Sequence, residues 1–299
     1  MSTQTRLEAV AATARWTAAA RARETARDDR LFADPFAEHL AGDDGPDLLF
    51  HFHPRYASDL GNPYLPVRTR YFDDVLLGNV RAGMQVVGIG AGLDVRPFRL
   101  DWPDDVRVFE VDQPSVFAYK DPIVTARADS DGDGDDGGDG GGARAGGPRL
   151  RCSRTTVPTE LSAGWERKLL DAGFDPERPT IWFAEGVSYY LPEDVARQVL
   201  RTVRQHSAPG SMIVFDMIGE GIFRLSYMRE FLDRLSAANS PWLWGNDDPV
   251  AFMRECGWPG ARYVEPGDQE ANFGRWTATS APAVANVPRM FLVTAEVTD

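Results

Sequence analysis

Three glycines, Gly88, Gly90 and Gly92, alternate with other residues at the end of a short apolar run, Gln85-Val-Val-Gly-Ile-Gly-Ala-Gly-Leu-Asp94. Glycines so placed let a strand turn sharply and let a ligand lie against bare backbone. A dinucleotide fingerprint spaces its glycines G-x-G-x-x-G. Here the third glycine comes one residue early, and Leu93 follows it. Alternating G-x-G-x-G after a first strand is the usual pattern of an S-adenosylmethionine (SAM) site. Roughly twenty residues on, where doubly wound sheets place an acid against ribose hydroxyls, Arg107-Val-Phe-Glu-Val111 runs into Asp112 and Gln113. That acid would serve NAD equally. Glycines and acid together predict an adenosine ribose and leave the cofactor open; the plainer reading of Asp112, a solvated acid at a strand end, is weakened by the glycines at this spacing.

These residues need a sheet to hold them. Period-two and buried-type apolar runs predict strands at 84–88, 106–111, 180–184 and 212–218, with a weak one at 150–152. Helices are predicted over 7–24, 36–40, 67–80, 114–120, 161–172 and 193–206, with Asp34-Pro35 opening the second and Asp194 helping to cap the last. Residues 42–66, with their prolines and aromatics, read as an irregular cap segment. Alternating strands and helices argue a parallel, doubly wound α/β sheet covered on both faces. Residues 262–265 and 290–296 read as a terminal antiparallel hairpin. The organisation expected is an N-terminal helical cap over 1–81 and a ligand-binding domain over 82–299.

Composition narrows the partners. The net charge is −13 over 299 residues. That disfavours nucleic acid, whose binding needs Lys and Arg against phosphates, and equally an anionic membrane surface or an acidic carrier protein as partner. Residues 129–147 hold six Asp and one Arg among glycines. Asp129, Asp131, Asp133 and Gly134 imitate the start of a calcium loop, but Gly140 stands where the bidentate Glu is required. The segment reads as a flexible surface insertion, and no metal site is expected. Two cysteines, Cys152 and Cys256, are too few for a disulfide framework. No signal core or membrane span is evident, so the expected location is cytoplasmic.

Longer stretches carry a resemblance. Arg30-Leu-Phe-Ala-Asp-Pro35, Arg68-Thr-Arg-Tyr-Phe-Asp-Asp74, Gly90-Ala-Gly-Leu-Asp94-Val-Arg96, Phe109-Glu-Val-Asp112-Gln-Pro114 and Ala184-Glu-Gly-Val-Ser-Tyr-Tyr-Leu-Pro192 together resemble the leucine carboxyl methyltransferase family. The likeness is closer to its bacterial branch, which includes carboxyl O-methyltransferases of aromatic polyketide pathways such as the tetracenomycin enzyme. It implies a class I, Rossmann-like SAM-methyltransferase fold and SAM as cofactor. It implies that Arg68, with Arg70 as close competitor, pairs with the SAM carboxylate, a bidentate task suited to guanidinium. It places Gly90 against the methionine portion, Asp112 on the ribose, Glu160-Leu161 beside the adenine and Glu185 near the amino group. Plainer readings stand beside these: Arg68 on the solvated side of its helix, and Glu160 as a helix-start acid.

The implied reaction is methyl transfer to a small molecule of secondary metabolism. Such a displacement needs alignment and exclusion of water. A carboxylate acceptor is already ionised; a phenol would need a base. Candidate catalytic residues are Tyr189 and Tyr190, one of which would face the transferred methyl, and His51 and His53 as bases. The tyrosines also read as packing residues, and lone histidines in such a segment are more often plain surface or packing residues. Phe50, Phe52, Tyr56, Tyr64, Trp242 and Trp244 could line a pocket for a flat molecule. The absence of a clear His/Asp pair favours the carboxylate over a hydroxyl. An NAD-type oxidoreductase, a non-catalytic SAM-binding protein and a methyltransferase for a protein C-terminus are the rival readings.

Overall fold

Along the strands, successive side chains enter opposite cores. Val86, Val108, Ile181, Phe183 and Val214 join one buried cluster; Val87, Phe109, Trp182, Ile213 and Phe215 join another. A sheet apolar on both faces must be covered on both, which makes it the middle layer. The computed structural model describes residues 3–52, 63–130, 150–276 and 288–298. Its elements are α1 (Thr3–Thr25), α2 (Ala37–Ala41), α3 (Gly45–Phe52), α4 (Tyr64–Asn79), β1 (Gln85–Ile89), α5 (Arg96–Arg99), β2 (Arg107–Asp112), α6 (Pro114–Ser130) and β3 (Ser153–Pro158). They continue with α7 (Trp165–Asp171), β4 (Thr180–Ala184), α8 (Glu193–Gln205), β5 (Met212–Ile218), α9 (Ser226–Ala237), α10 (Pro249–Glu255), β6 (Arg262–Val264) and β7 (Met290–Glu296).

The strand order is β3-β2-β1-β4-β5-β7-β6. The first five strands are parallel, and β7 runs antiparallel to both β5 and β6. The expected terminal hairpin is therefore present, with β7 as its inner strand. Winding proceeds outward from β1 to β3, then returns to β4 and β5. The reversal falls between β1 and β4, the crevice where open α/β sheets bind ligands.

Helices α7, α8 and α10 cover one face through Leu169, Leu200, Val203, Phe252 and Met253. On the other face α4 packs Val67, Tyr71, Phe72 and Leu76. The start of α4 belongs elsewhere: Tyr64 and Leu65 join Trp16, Leu40, Leu49, Phe52, Phe231 and Leu235 in a separate cluster. Thus α1, α2 and α3, with α9, form a second apolar unit, and α4 bridges it to the sheet. No described helix is long and apolar enough to cross a membrane.

Several expectations are corrected. The third strand is Ser153–Pro158, beyond the weak run at 150–152. As an edge strand pairing only with β2, it tolerates Arg and Thr where an inner strand would be apolar. Part of the irregular stretch is α3, which takes Pro46 in its first turn and buries Leu49 and Phe52. The helix expected from 161 starts at Trp165, after Gly164 at φ 88°. Helix α6 continues through Pro122. Asp194 lies in the first turn of α8 without capping it through its side chain. Helices α9 and α10 were not anticipated; α10 carries an N-cap that could have been read, Asp248 Oδ1 accepting from the Ala251 amide at 2.9 Å ahead of Pro249. The proposed insertion lies outside the described residues from 131 on, as do His53 and Tyr56.

Candidate functional site

The glycine turn leaves β1 at the reversal. Gly90 and Gly92 adopt φ of 62° and 49°, left-handed values that side chains with a Cβ avoid. The turn is tied to the neighbouring strand: the amides of Gly90 and Ala91 donate to the Val111 carbonyl at 2.8 and 3.2 Å. A Cβ on Gly90 would stand 2.6 Å from Val187 Cγ2, and one on Gly88 2.5 Å from the Phe183 ring. Asp112, at the end of β2, accepts from the Gly92 amide at 2.6 Å through Oδ2 and from its neighbour Gln113 at 2.6 Å through Oδ1. Burial pushes the Asp112 carboxyl up, and these two amides oppose the rise. Thr159 donates to the Asp112 carbonyl at 2.7 Å, which brings the following pair, Glu160 and Leu161, alongside the ends of β2 and β3. Glu160 is exposed, and Leu161 packs against the core. The helix begins only at Trp165, so Glu160 is not an acid of its first turn.

A charged cluster fills the carboxyl edge of β4 and β5. Arg68 is 7% exposed, which disposes of the solvated-side reading. Its Nε meets Glu185 Oε1 at 3.0 Å and its NH1 meets Asp216 Oδ2 at 2.9 Å. Asp216 is fully buried in β5. It also accepts from the Tyr64 hydroxyl at 2.9 Å, the Tyr189 hydroxyl at 3.1 Å and the Gly186 amide at 2.6 Å. A buried carboxylate with this many donors meets the requirement that buried charge be paired. Burial, reinforced by the Asp216 charge, raises both tyrosine hydroxyls well above their usual range, so they act as donors. Burial likewise pushes Tyr190 up to about 12.

Glu185 has a second arginine. Arg96 NH2 meets its Oε2 at 2.7 Å, while Thr69 donates to Oε1 at 3.2 Å. Burial would raise this carboxyl, but Arg96 and Arg68 outweigh burial and bring it down to about 2. Arg96 also pairs with Asp94 and, at 2.7 Å, with Asp73; Arg99 meets Asp73 at 2.6 Å. Three guanidiniums thus face four carboxylates, Glu185, Asp216, Asp73 and Asp94. From the cap, Arg21 pairs with Asp34 at 2.8 Å and donates to the Leu93 carbonyl at 2.8 Å, tying α1 to the end of the glycine turn.

The structure brings together Arg68, Glu185, Tyr189 and Asp94 around this cluster, and Gly88, Gly90, Gly92, Asp112 and Gln113 at the adjoining turn. Arg70 points away, pairing with Asp74 at 2.8 Å and the Leu31 carbonyl at 2.8 Å. His51 is exposed on α3, its ring edge-on to Phe52, while its carbonyl accepts from Arg234. Of the aromatics, Tyr64 serves Asp216 and Phe52 lies in the cap core. Phe50 is exposed, and Trp244 stacks on Phe252. Trp242 lies 4.7 Å from Tyr189 and 6.4 Å from Tyr190, ring centre to ring centre. Sequence reading missed Asp216, Arg96, Asp73 and Thr69. The signal for Asp216 was available: one acid inside the apolar strand Met-Ile-Val-Phe-Asp-Met-Ile.

The sequence model for leucine carboxyl methyltransferase matches residues 14–204. A Saccharopolyspora erythraea protein, provisionally named an S-adenosyl-L-methionine-dependent methyltransferase, is 36% identical over 282 residues, spanning 89% of this chain and 88% of its own. A Mycolicibacterium smegmatis protein with the same provisional name is 36% identical over 294 residues, spanning 90% and 86%. Among solved structures, a DUF574 family protein from Streptomyces avermitilis superposes with a TM-score of 0.53 at 16% identity, covering 95% of this chain and 97% of its own. Haemonchus contortus phosphoethanolamine N-methyltransferase 2, in complex with SAM, gives 0.50 at 11% identity, covering 89% and 61%. At such identities these structures speak for the fold alone.

Proposed function

This chain belongs to the leucine carboxyl methyltransferase family and is a SAM-dependent methyltransferase; we propose that its acceptor is the carboxylate of a small, flat molecule of the polyketide kind. Family membership selects SAM over NAD, which the ribose acid alone left open. The residues suit SAM in shape and charge. Gly90 offers bare backbone where a Cβ would collide with Val187, and Asp112 adjoins it as the ribose acceptor. The cluster carries four carboxylates against three guanidiniums, complementary to a cofactor with one carboxylate, one ammonium and one sulfonium. Arg68 would take the carboxylate, Glu185 the ammonium, and Glu160-Leu161 the adenine edge.

Bound, SAM supplies a methyl group on positively charged sulfur. The protein has to bind, orient and exclude water. Tyr190 and Trp242, half-buried beside Met228, Leu232 and Ile222, would give the acceptor an apolar wall. The observation that carries the carboxylate reading is the state of the tyrosines. Tyr189 is committed to Asp216, and Tyr190 is held protonated up to about 12. Neither is a base near neutral pH, which suits a nucleophile that arrives ionised. The described histidines lie elsewhere: His39 on α2, His51 on α3 and His206 after α8. Single-turnover rates across pH 6–9, with an aromatic acid and its amide, test this. The acid should react at a nearly flat rate and the amide should not; a rate climbing with pH would favour a hydroxyl acceptor and a base.

A further inference from the structure

Glu185 is gripped at both oxygens, by residues from different elements. Arg68 and Thr69 of α4 take Oε1, and Arg96, the first residue of α5, takes Oε2. An ionised carboxylate offers about four lone-pair positions, so these three donors leave about one. Arg96 is 1% exposed and cannot be a surface residue making an incidental contact. Its desolvation is offset by Glu185, Asp73 and Asp94, and its guanidinium lies over the rings of Phe72 and Phe183 at 5.8 and 5.5 Å. Asp73 is fixed in turn by Arg99. The Arg96 carbonyl accepts from the Trp102 indole at 2.9 Å. Arg96 therefore joins the two strand ends that flank the reversal, the glycine turn after β1 and Glu185 after β4.

We infer that Arg96 is a positioning residue of the cofactor site. By holding Oε2 from inside the protein it fixes the rotamer and charge of Glu185 and directs the remaining lone pair to the cofactor's ammonium group. This rests on Glu185 being the ammonium's partner. The charged and titratable groups facing Glu185 are Arg68 and Asp73 from α4, Arg96 and Asp94 from the turn and α5, Arg21 from α1, and Asp216 and Tyr189 through Arg68.

The test is SAM affinity by calorimetry from pH 5 to 8 on full-length wild type, Arg96→Lys, Arg96→Met and Glu185→Gln, with circular dichroism reporting the fold. Wild type should bind with nearly constant affinity over this range. Arg96→Met should bind at least tenfold more weakly at pH 7.5 and weaken further toward pH 5, as the released carboxyl gains a proton. Arg96→Lys keeps the charge and loses the fork, so it should fall between the two. If Arg96→Met does not fold, Arg96→Lys decides. A folded Arg96 variant with wild-type affinity and a flat profile overturns the inference. Lost binding in Glu185→Gln beside intact binding in the Arg96 variants removes Arg96 alone. Intact binding in Glu185→Gln removes the ammonium role of Glu185 as well.

Discussion

The carboxylate of Asp112 accepts the amide of Gly92 at 2.6 Å, although the two residues stand twenty apart in sequence. The acid proposed for the ribose is thus also the brace of the glycine turn, and turn and acid are one device. Asp112→Ala removes a charged acceptor from the ribose hydroxyls and frees the turn. A hydrogen bond to a charged group contributes about 1.5–3 kcal/mol, so SAM affinity should fall about tenfold or more. Calorimetry reads this directly; unchanged affinity in a folded variant would remove Asp112 from the cofactor site.

Gly90 should resist even the smallest addition. A left-handed backbone costs a residue with a Cβ about 1–2 kcal/mol, and the new methyl would lie 2.6 Å from Val187 Cγ2. Gly90→Ala should lower the melting temperature and weaken SAM binding. Adding Val187→Ala should recover the steric part and leave the backbone part. A Gly90→Ala protein with unchanged melting and affinity would show that the turn is not strained at this position.

Glu185 makes a prediction about acid stability. Its carboxyl is depressed from an ordinary 4.5 to about 2 in the folded protein. The unfolded chain therefore binds the proton more tightly. The stabilisation is complete above about pH 4.5 and is lost as pH falls toward about 2. For this largely buried group the contribution is about 3 kcal/mol. Denaturant titrations at successive pH values should show stability falling through that window. Glu185→Gln should be less stable at neutral pH, since Arg68 and Arg96 each lose one charged partner and keep only Asp216 and the Asp73–Asp94 pair, respectively, yet should show a shallower fall. An unaltered slope would mean that other carboxylates govern acid unfolding.

How far the sequence could be read follows from where each element sits. Inner strands such as Thr180–Ala184 and Met212–Ile218 are buried on both faces, so predominantly apolar runs marked them, with Asp216 the one acid inside. The edge strand Ser153–Pro158 has one neighbour and half-exposed faces, so its Thr and Arg carried no such mark. Gly90 and Asp112 were legible because turn and ribose chemistry fix residue type at a set spacing. Of the arginine–carboxylate cluster, Arg68 and Glu185 were legible only through the family resemblance, and Arg96 and Asp216 were not picked out. Arg68, Arg96, Glu185 and Asp216 are brought together by the winding order, and no spacing encodes that neighbourhood. Of the missed residues, Asp216 alone had left a readable signal, as an acid inside an apolar strand.

Methyl transfer to a carboxylate has a chemical signature that a hydroxyl acceptor lacks: a methyl ester releases methanol in mild base, whereas a methyl ether does not. The most direct measurement supplies SAM labelled in the transferred methyl, together with aromatic polyketide acids, and follows the label in the product. The label is expected in a product whose carboxyl is esterified and from which base frees it as methanol, at a rate nearly independent of pH between 6 and 9. Label retained through base treatment, with the carboxyl still free, would contradict the carboxylate assignment while leaving the SAM site intact.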